Sequence, residues 1–264
     1  MSNYRISVLM GIYNCAPTLQ EALDSLYAQT FQNFKIILCD DGSNDDTLAI
    51  AERNANEHPG KVTVIKNERN MGLNYTLNHC LEYADTEYCA RMDGDDMSMP
   101  ERFAKEIRFL DEHPKYAVVS TPMIYFDEKG AFRKGKGNGE VKTKDFVLGT
   151  PICHAPSMSR TSVLKAVGGY SVSRKLLRVE DYHLWFKVFA AGHKLFMLDE
   201  CLYKMRDDRN AIARRDWLTR CNEAYVKHIG YKMIGLPWWY QIYSLVPILK
   251  YFVPKWLYSH FHKN

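Results

Sequence analysis

Five short apolar runs, ISVLM (6–10), FKIILC (34–39), VTVIK (62–66), YCARM (88–92) and YAVVSTPMIYF (116–126), punctuate the first half of this chain. Continuous apolar runs of this length, rich in β-branched and aromatic residues, read as strands buried on both faces of a parallel sheet. Between them apolar residues recur at helical spacing: Leu19, Ala22, Leu23, Leu26 and Tyr27; Leu48, Ile50 and Ala51; Leu73, Leu77 and Leu81; and Phe103, Ile107, Phe109 and Leu110 after Pro100 and Glu101. Strand and helix in alternation predict βαβ units, hence an α/β fold with a mainly parallel central sheet. Such sheets bind ligands beyond the carboxyl ends of their strands. That rule gathers three polar clusters on one edge: Gly11, Tyr13 and Asn14; Asp40 and Asp41; and Asp93 to Asp96.

A chain of 264 residues with 46% apolar content has ample material for a core, as one large domain or one domain with an appendage. The net charge of +4 is too mild to point to nucleic acid, and it is unevenly spread. Residues 201–264 hold eleven Lys or Arg against four Asp or Glu, so the basic character belongs to the C-terminal end. Seven scattered cysteines without a C-x-x-C pair argue against a disulfide framework and a zinc site, and fit a reducing compartment. The opening MSNYRISVLMG carries a five-residue apolar run, shorter than a signal-peptide core, and a cytoplasmic protein is expected.

The acid cluster in YCARMDGDDMSMPERF needs an explanation, because carboxylates this close raise one another's pKa unless a cation or hydrogen-bond donors are shared between them. One reading makes Asp96 or Ser98 the N-cap of the following helix. An EF-hand loop is excluded, since the sixth and twelfth positions counted from Asp93 are Ser98 and Ala104 instead of Gly and Glu. No G-x-G-x-x-G follows the first strand and no G-x-x-x-x-G-K-[ST] occurs, so a diphosphate bound on this edge would need a divalent cation. Asp-x-Asp on a loop offers hard oxygen ligands suited to Mg2+ or Mn2+. In DDGSNDDT (40–47), Ser43 or Asn44 serves as a helix cap and Asp45 and Asp46 suit the helix N-terminus, whereas Asp40 and Asp41 are left to hydrogen-bond a base or ribose.

These residues resemble the inverting family 2 glycosyltransferases with the GT-A fold, of the bacterial exopolysaccharide, capsule and O-antigen type. The resemblance covers roughly residues 4–206 through SVLMGIYN, LYAQTFQNFKIILCDDGSNDDT, NMGLNYTLNHCL, ARMDGDDMSMPERF, CHAPSMSR and RVEDYHLW, in the family's order. It implies a Rossmann-like nucleotide-diphospho-sugar transferase: Tyr13 stacking on the base, Asp40 bonding it, Asp93 near the ribose, Asp95 on the metal and Asp96 as a further contact. It also implies that His154 lines the donor or metal site and that Asp181 is the catalytic base, with Glu180 beside it. The chain departs from the family pattern in having Gly11 and Ile12 before Tyr13, and no arginine in NMGLNYTLN, which leaves Arg91 or Lys66 to meet the diphosphate. On its own, "VED" also reads as a helix start, and His154 as a satisfied structural histidine.

The expected organisation is a catalytic domain over 1–206, with a donor half 1–115 and an acceptor half 116–206, followed by a helical, basic and aromatic region 207–264. Segment 127–142, with four lysines, one arginine and four glycines, reads either as a loop closing over an anionic donor or as an exposed hairpin. The stretch LPWWYQIYSLVPILKYFVPKWLYSHF is broken by prolines and Lys250, and so reads as an interfacial membrane segment instead of a spanning helix. That fits a polyprenyl-diphosphate-linked or saccharide acceptor at the inner leaflet, with the basic residues of 204–232 towards anionic lipid. Its alternative is packing on the catalytic domain or on a second subunit, a homodimer. Two function classes follow: an enzyme transferring a sugar from a nucleotide sugar, UDP-sugar foremost, or a membrane-associated module of the same fold acting through a protein partner. A sugar-nucleotide pyrophosphorylase would want a glycine-rich, Arg-containing loop where SVLMGIYNCAP stands.

Overall fold

A computed structural model describes residues 3–207 and 216–252. In chain order it runs β1 (Ile6–Ile12), α1 (Ala16–Tyr27), β2 (Phe34–Asp40), α2 (Thr47–Glu57), β3 (Val62–Lys66), α3 (Leu73–Glu82), β4 (Tyr88–Arg91), β5 (Met97–Ser98), α4 (Arg102–Glu112) and β6 (Tyr116–Ser120). It continues with β7 (Met123–Asp127), β8 (Gly130–Lys134), β9 (Gly139–Glu140), α5 (Asp145–Leu148), β10 (Met158–Arg160), α6 (Thr161–Ala166) and α7 (Glu180–Ala190). Then come β11 (Lys194–Met197), β12 (Tyr203–Arg206), α8 (Trp217–Met233), a 3-10 segment Trp238–Leu245 and α9 (Val246–Tyr251).

The large sheet has the order β3-β2-β1-β4-β10-β6-β11-β9. Its first four strands are parallel, as the alternation of runs and helices requires. β10 enters antiparallel between β4 and β6, which makes the sheet mixed at its centre. Alternate residues of a strand face opposite sides, and both sides of β1 are covered. Ile6, Val8 and Met10 pack with Leu19, Leu23 and Leu26 of α1 and Phe103 and Leu110 of α4, while Leu9 packs with Leu77 and Leu81 of α3 and Leu184 and Trp185 of α7. Helices on both faces explain the unbroken apolar runs.

The run 116–126 is two strands in two sheets. Pro122 has no amide to donate and fixes its own backbone, so β6 ends at Ser120 and β7 begins at Met123 in a second sheet of order β5-β12-β7-β8. Segment 127–142 is the exposed-hairpin alternative: β7 and β8 pair antiparallel, and the Asp127 carboxylate accepts the Lys129 amide at 2.9 Å in the turn.

Val226 and Tyr231 of α8 join the core that holds Trp185 and Phe186 of α7, so the boundary expected after residue 206 is not a break in the core. The next segment behaves differently. Trp238, Ile242, Leu249 and Phe252 are 80%, 68%, 64% and 70% exposed. Among the described residues no helix is long and apolar enough to cross a membrane. The parts of the basic and aromatic tail at 208–215 and 253–264 lie outside the described residues.

Candidate active site

The loops after β1, β2 and β4 meet at one edge of the sheet because short bonds stitch them together. After β1, Tyr13 is 44% exposed and Asn14 turns into the left-handed region at φ 47. The Asn14 amide donates to Ser43 Oγ at 3.0 Å, and the Asn44 amide donates back to Asn14 Oδ1 at 2.9 Å. An exposed ring therefore stands beside the loop that begins at Asp40. Ser43 is spent on this stitch, and α2 starts behind Asp46 without a side-chain cap, contrary to the capping expected of Ser43 or Asn44.

Asp40 ends β2 and is buried. Its Oδ2 accepts the amides of Gly42 and Ser43, both at 3.2 Å, while its Oδ1 has no partner among the described residues. Asp41 is buried and spends its carboxylate on the scaffold. It accepts Asn67 Nδ2 and the Met71 amide at 2.8 Å and the Gly72 amide at 2.9 Å.

The acid loop follows β4. Thr18 Oγ1 donates to the Gly94 carbonyl at 3.0 Å, and a Cβ at position 94 would stand 2.8 Å from Cys15 Sγ, so a larger residue there would have to displace the Cys15 side chain where the loop meets the start of α1. Arg91, its side chain only 4% exposed, donates to the Asp93 carboxylate and to the Met92 carbonyl. Its guanidinium braces the loop from within, with Nε left without a partner among the described residues. Asp95 is exposed, and crowding by the surrounding protein and then the charge of Asp93 raise its pKa. Among the described residues, no other residue donates a hydrogen bond to its carboxylate.

Asp96, expected as a further ligand contact, is 2% exposed and turned into the scaffold. It accepts the Arg206 amide at 2.8 Å, yet burial and then Asp93 and Asp95 push its pKa up to about 8. Neither Asp96 nor Ser98 caps α4, which starts behind Glu101.

His154 is locked in place. Its Nε2 pairs with the Tyr170 hydroxyl at 2.7 Å and its ring meets Trp185 edge-on at 6.0 Å, while burial, then Arg91, holds its pKa well below the usual imidazole value. Among the described residues no three His, Cys, Asp or Glu side chains form a group that could hold a metal ion. The set of Asp93, Asp95 and His154 is thus not assembled as a protein cage.

Asp181 and Glu180 occupy the first turn of α7, where the helix dipole favours acids. Burial, then the charge of Asp181, raises Glu180 to about 7. Tyr170 feels Arg91, Asp181 and Glu180 together, which places the start of α7 and the root of the acid loop in one electrostatic neighbourhood.

Two residues of this region, Arg206 and Tyr203, carry no recognisable signal in the sequence. Arg206 donates through Nε to the Asp95 carbonyl at 3.1 Å and forms an ion pair with Glu21. Tyr203 is buried with its hydroxyl at the acid loop, and Arg102 is buried beneath it. Only the pairing of β12 with β5 brings the first two to the loop, and no local pattern announces that pairing.

A parallel first half, an acid loop after β4 and a second half that carries the acids of α7 give the GT-A fold of glycosyltransferases. The chain belongs to glycosyl transferase family 2, whose model matches residues 7–167. It is 38% identical over 264 residues to the putative glycosyltransferase EpsE of Bacillus subtilis (strain 168), covering 100% of this chain and 95% of that protein. To the amylovoran biosynthesis glycosyltransferase AmsE of Erwinia amylovora it is 33% identical over 219 residues, 80% of each chain. The UDP-Glc:alpha-D-GlcNAc-diphosphoundecaprenol beta-1,3-glucosyltransferase WfaP of Escherichia coli is 26% identical over 189 residues, 72% of each chain. Among solved structures, S. aureus TarS 1–349 in complex with UDP-GlcNAc superposes with a TM-score of 0.70 at 20% identity, over 91% of this chain and 69% of that one. The mannosyltransferase PcManGT from Pyrobaculum calidifontis, in complex with GDP-Man and Mn2+, gives 0.66 at 20% identity, over 94% and 75%.

Proposed function

We propose that this glycosyltransferase moves a sugar from a nucleotide diphosphate sugar, a UDP-sugar, to a lipid-linked or growing saccharide in bacterial surface polysaccharide synthesis, with inversion at the transferred carbon. The observation that carries the reading is Asp95: an exposed carboxylate in a loop on the ligand edge, crowded by like charge and without a donor from another described residue. The names of two relatives support the setting, one in amylovoran biosynthesis and one using UDP-Glc with a diphosphoundecaprenol-linked acceptor.

The donor set fits Mn2+ or Mg2+ carried in with the diphosphate, since such ions are commonly held by one or two carboxylates plus substrate phosphates. Asp95 would hold the ion, with Asp93 beside it braced by Arg91. When bound, the ion supplies neutralisation of the departing nucleoside diphosphate. Tyr13 offers its exposed ring to the base, and Asp40 Oδ1 is an acceptor still lacking a donor. Asp181 takes the proton of the acceptor hydroxyl as it attacks, so that a single displacement needs no covalent intermediate. Glu180, close to half-protonated near neutrality, limits the negative charge that Asp181 must share.

Calorimetric titration of UDP with and without Mn2+, on the wild type and on Asp95→Ala, tests the core of this reading. Mn2+ should tighten UDP binding in the wild type and have no effect in the variant. A wild type indifferent to Mn2+ would remove the metal-assisted reading.

In this reading residues 1–206 carry the chemistry, and 207–264 hold the protein on the inner face of the membrane. The exposed Trp238, Ile242, Leu249 and Phe252 are residues that settle at headgroup depth, with Lys250 among them. Trp238→Glu combined with Ile242→Glu should shift the protein from a pellet of anionic liposomes to the supernatant, and unchanged sedimentation would sink the membrane contact.

A further inference from the structure

We propose that Tyr203 is a positioning residue that sets the shape of the acid loop, with Arg102 as its support. The proposal rests on the acid loop being the donor site. Tyr203 stands on β12, beyond the residues matched by the family model, and pairs opposite Ser98 of β5. Its side chain is fully buried, and its hydroxyl accepts the Asp93 amide at 3.2 Å. On the same strand the Arg206 amide donates to Asp96 Oδ1 at 2.8 Å. β12 thus holds the residues on either side of Gly94 and Asp95, with Tyr203 fixing the first of them, and the chain between them stands out as a tight loop with Asp95 exposed.

Beneath the ring lies Arg102, also fully buried, with its guanidinium 5.2 Å from the Tyr203 ring centroid. Its Nη2 donates to the Arg91 carbonyl at 2.9 Å, at the last residue of β4. Glu106 lies 3.4 Å from Arg102 Nε, and neither residue of this pair is exposed. Burying such a pair is a costly way to gain stability, because the desolvation of both ions offsets their attraction. Here the guanidinium touches both the strand end from which the loop leaves and the ring that closes it. Groups behind a metal-binding side chain govern its orientation as much as the side chain itself.

Tyr203→Phe tests this, because it keeps the ring over Arg102 and removes only the hydroxyl. Hydrogen exchange on the ligand-free chain should show the amides of 93–96 exchanging roughly tenfold faster, as expected for the loss of one hydrogen bond. Exchange elsewhere in β5 and β12 should be unchanged. Mn2+-dependent UDP affinity should weaken by a similar factor, roughly tenfold, while metal-free UDP binding stays put. Arg102→Lys, which keeps the charge and loses the planar fork, should move both readouts in the same direction.

A purely structural role would lower the melting temperature and leave the affinity of the folded protein unchanged. Unaltered exchange at 93–96 in both variants overturns the proposal, as does faster exchange with Mn2+-dependent UDP affinity within twofold of wild type. A wild type that ignores Mn2+ would count against the donor reading alone, since the exchange readout needs no ligand and still decides for or against Tyr203.

Discussion

Two aspartate-rich loops stand on the same edge of the sheet, Asp40–Thr47 after β2 and Asp93–Asp96 after β4, and the fold treats their carboxylates in opposite ways. In the first, Asp41 is surrounded by three donors, two of them the amides of Met71 and Gly72. Asp45 there accepts from Ala16 and Thr47, and its pKa is lowered, chiefly by the Thr47 bond. In the second, Asp95 accepts from no other described residue, and Asp96 is pushed up to about 8 in spite of the Arg206 amide it accepts. Backbone amides aimed at a carboxylate are permanent, so an acid satisfied by them is finished as part of the fold. An acid left crowded holds unfavourable free energy that an arriving cation can relieve. The contrast separates scaffold acids from ligand acids better than composition does.

The largest effect expected is at a third acid, Asp181, which belongs with the ligand acids if it is the base. Asp181→Asn should lower sugar transfer by roughly a hundredfold to ten-thousandfold, the usual worth of general-base help, while leaving Mn2+-dependent UDP binding intact. Near-normal turnover, followed by release of UDP in the presence of acceptor, would strike Asp181 from that role.

Next in size is a direct test of the two loops by urea unfolding. Asp41→Ala strips three partners at once, and each buried donor left unsatisfied costs about 1–3 kcal/mol, so a loss of at least ~3 kcal/mol is expected. Asp95→Ala removes a carboxylate that no other described residue bonds, and should change stability by no more than about 0.5 kcal/mol in the absence of metal. Equal losses in the two variants would erase the distinction drawn between the loops.

How far the sequence discloses this contrast can be judged residue by residue. The parallel half was legible because β1, β2, β3 and β4 are short apolar runs with helical spacing between them, and the strand-end rule then placed Tyr13, Asp40 and Asp95 on one edge without further information. Which acids were already satisfied was not legible. The donors to Asp41 come from residues 67–72 and the donor to Asp96 is the amide of Arg206, and only tertiary pairing brings them in. The pairing of Arg91 was not legible either: a cation next to an acid cluster in sequence gives no sign of being buried, and here it pairs with Asp93. The break at Pro122 had a visible cause, yet nothing in the local pattern says that the chain resumes in a second sheet.

The smallest effect concerns stability against pH, and its sign follows from the same contrast. A carboxyl whose pKa is higher in the folded than in the unfolded chain makes the folded state bind more protons between the two values, so stability falls as pH rises through that window. Asp96 moves from its ordinary 3.8 to about 8, Glu106 from 4.5 to about 8 and Glu180 from 4.5 to about 7, all with burial as the first cause. Asp45 has the opposite sign: its pKa is lowered, so its contribution is present above the ordinary value of 3.8 and is lost as pH falls through the folded one. Thermal melts in chelator should therefore show a maximum on the acid side of neutrality and a steady decline up to about pH 8. Glu106→Gln should flatten part of that decline without touching the acid limb, and Asp45→Asn should soften the acid limb alone. A melting temperature that stays level from the maximum to pH 8 would mean that the acids on and behind the second loop are as well compensated as those of the first, and the comparison between the loops would then lose its physical basis.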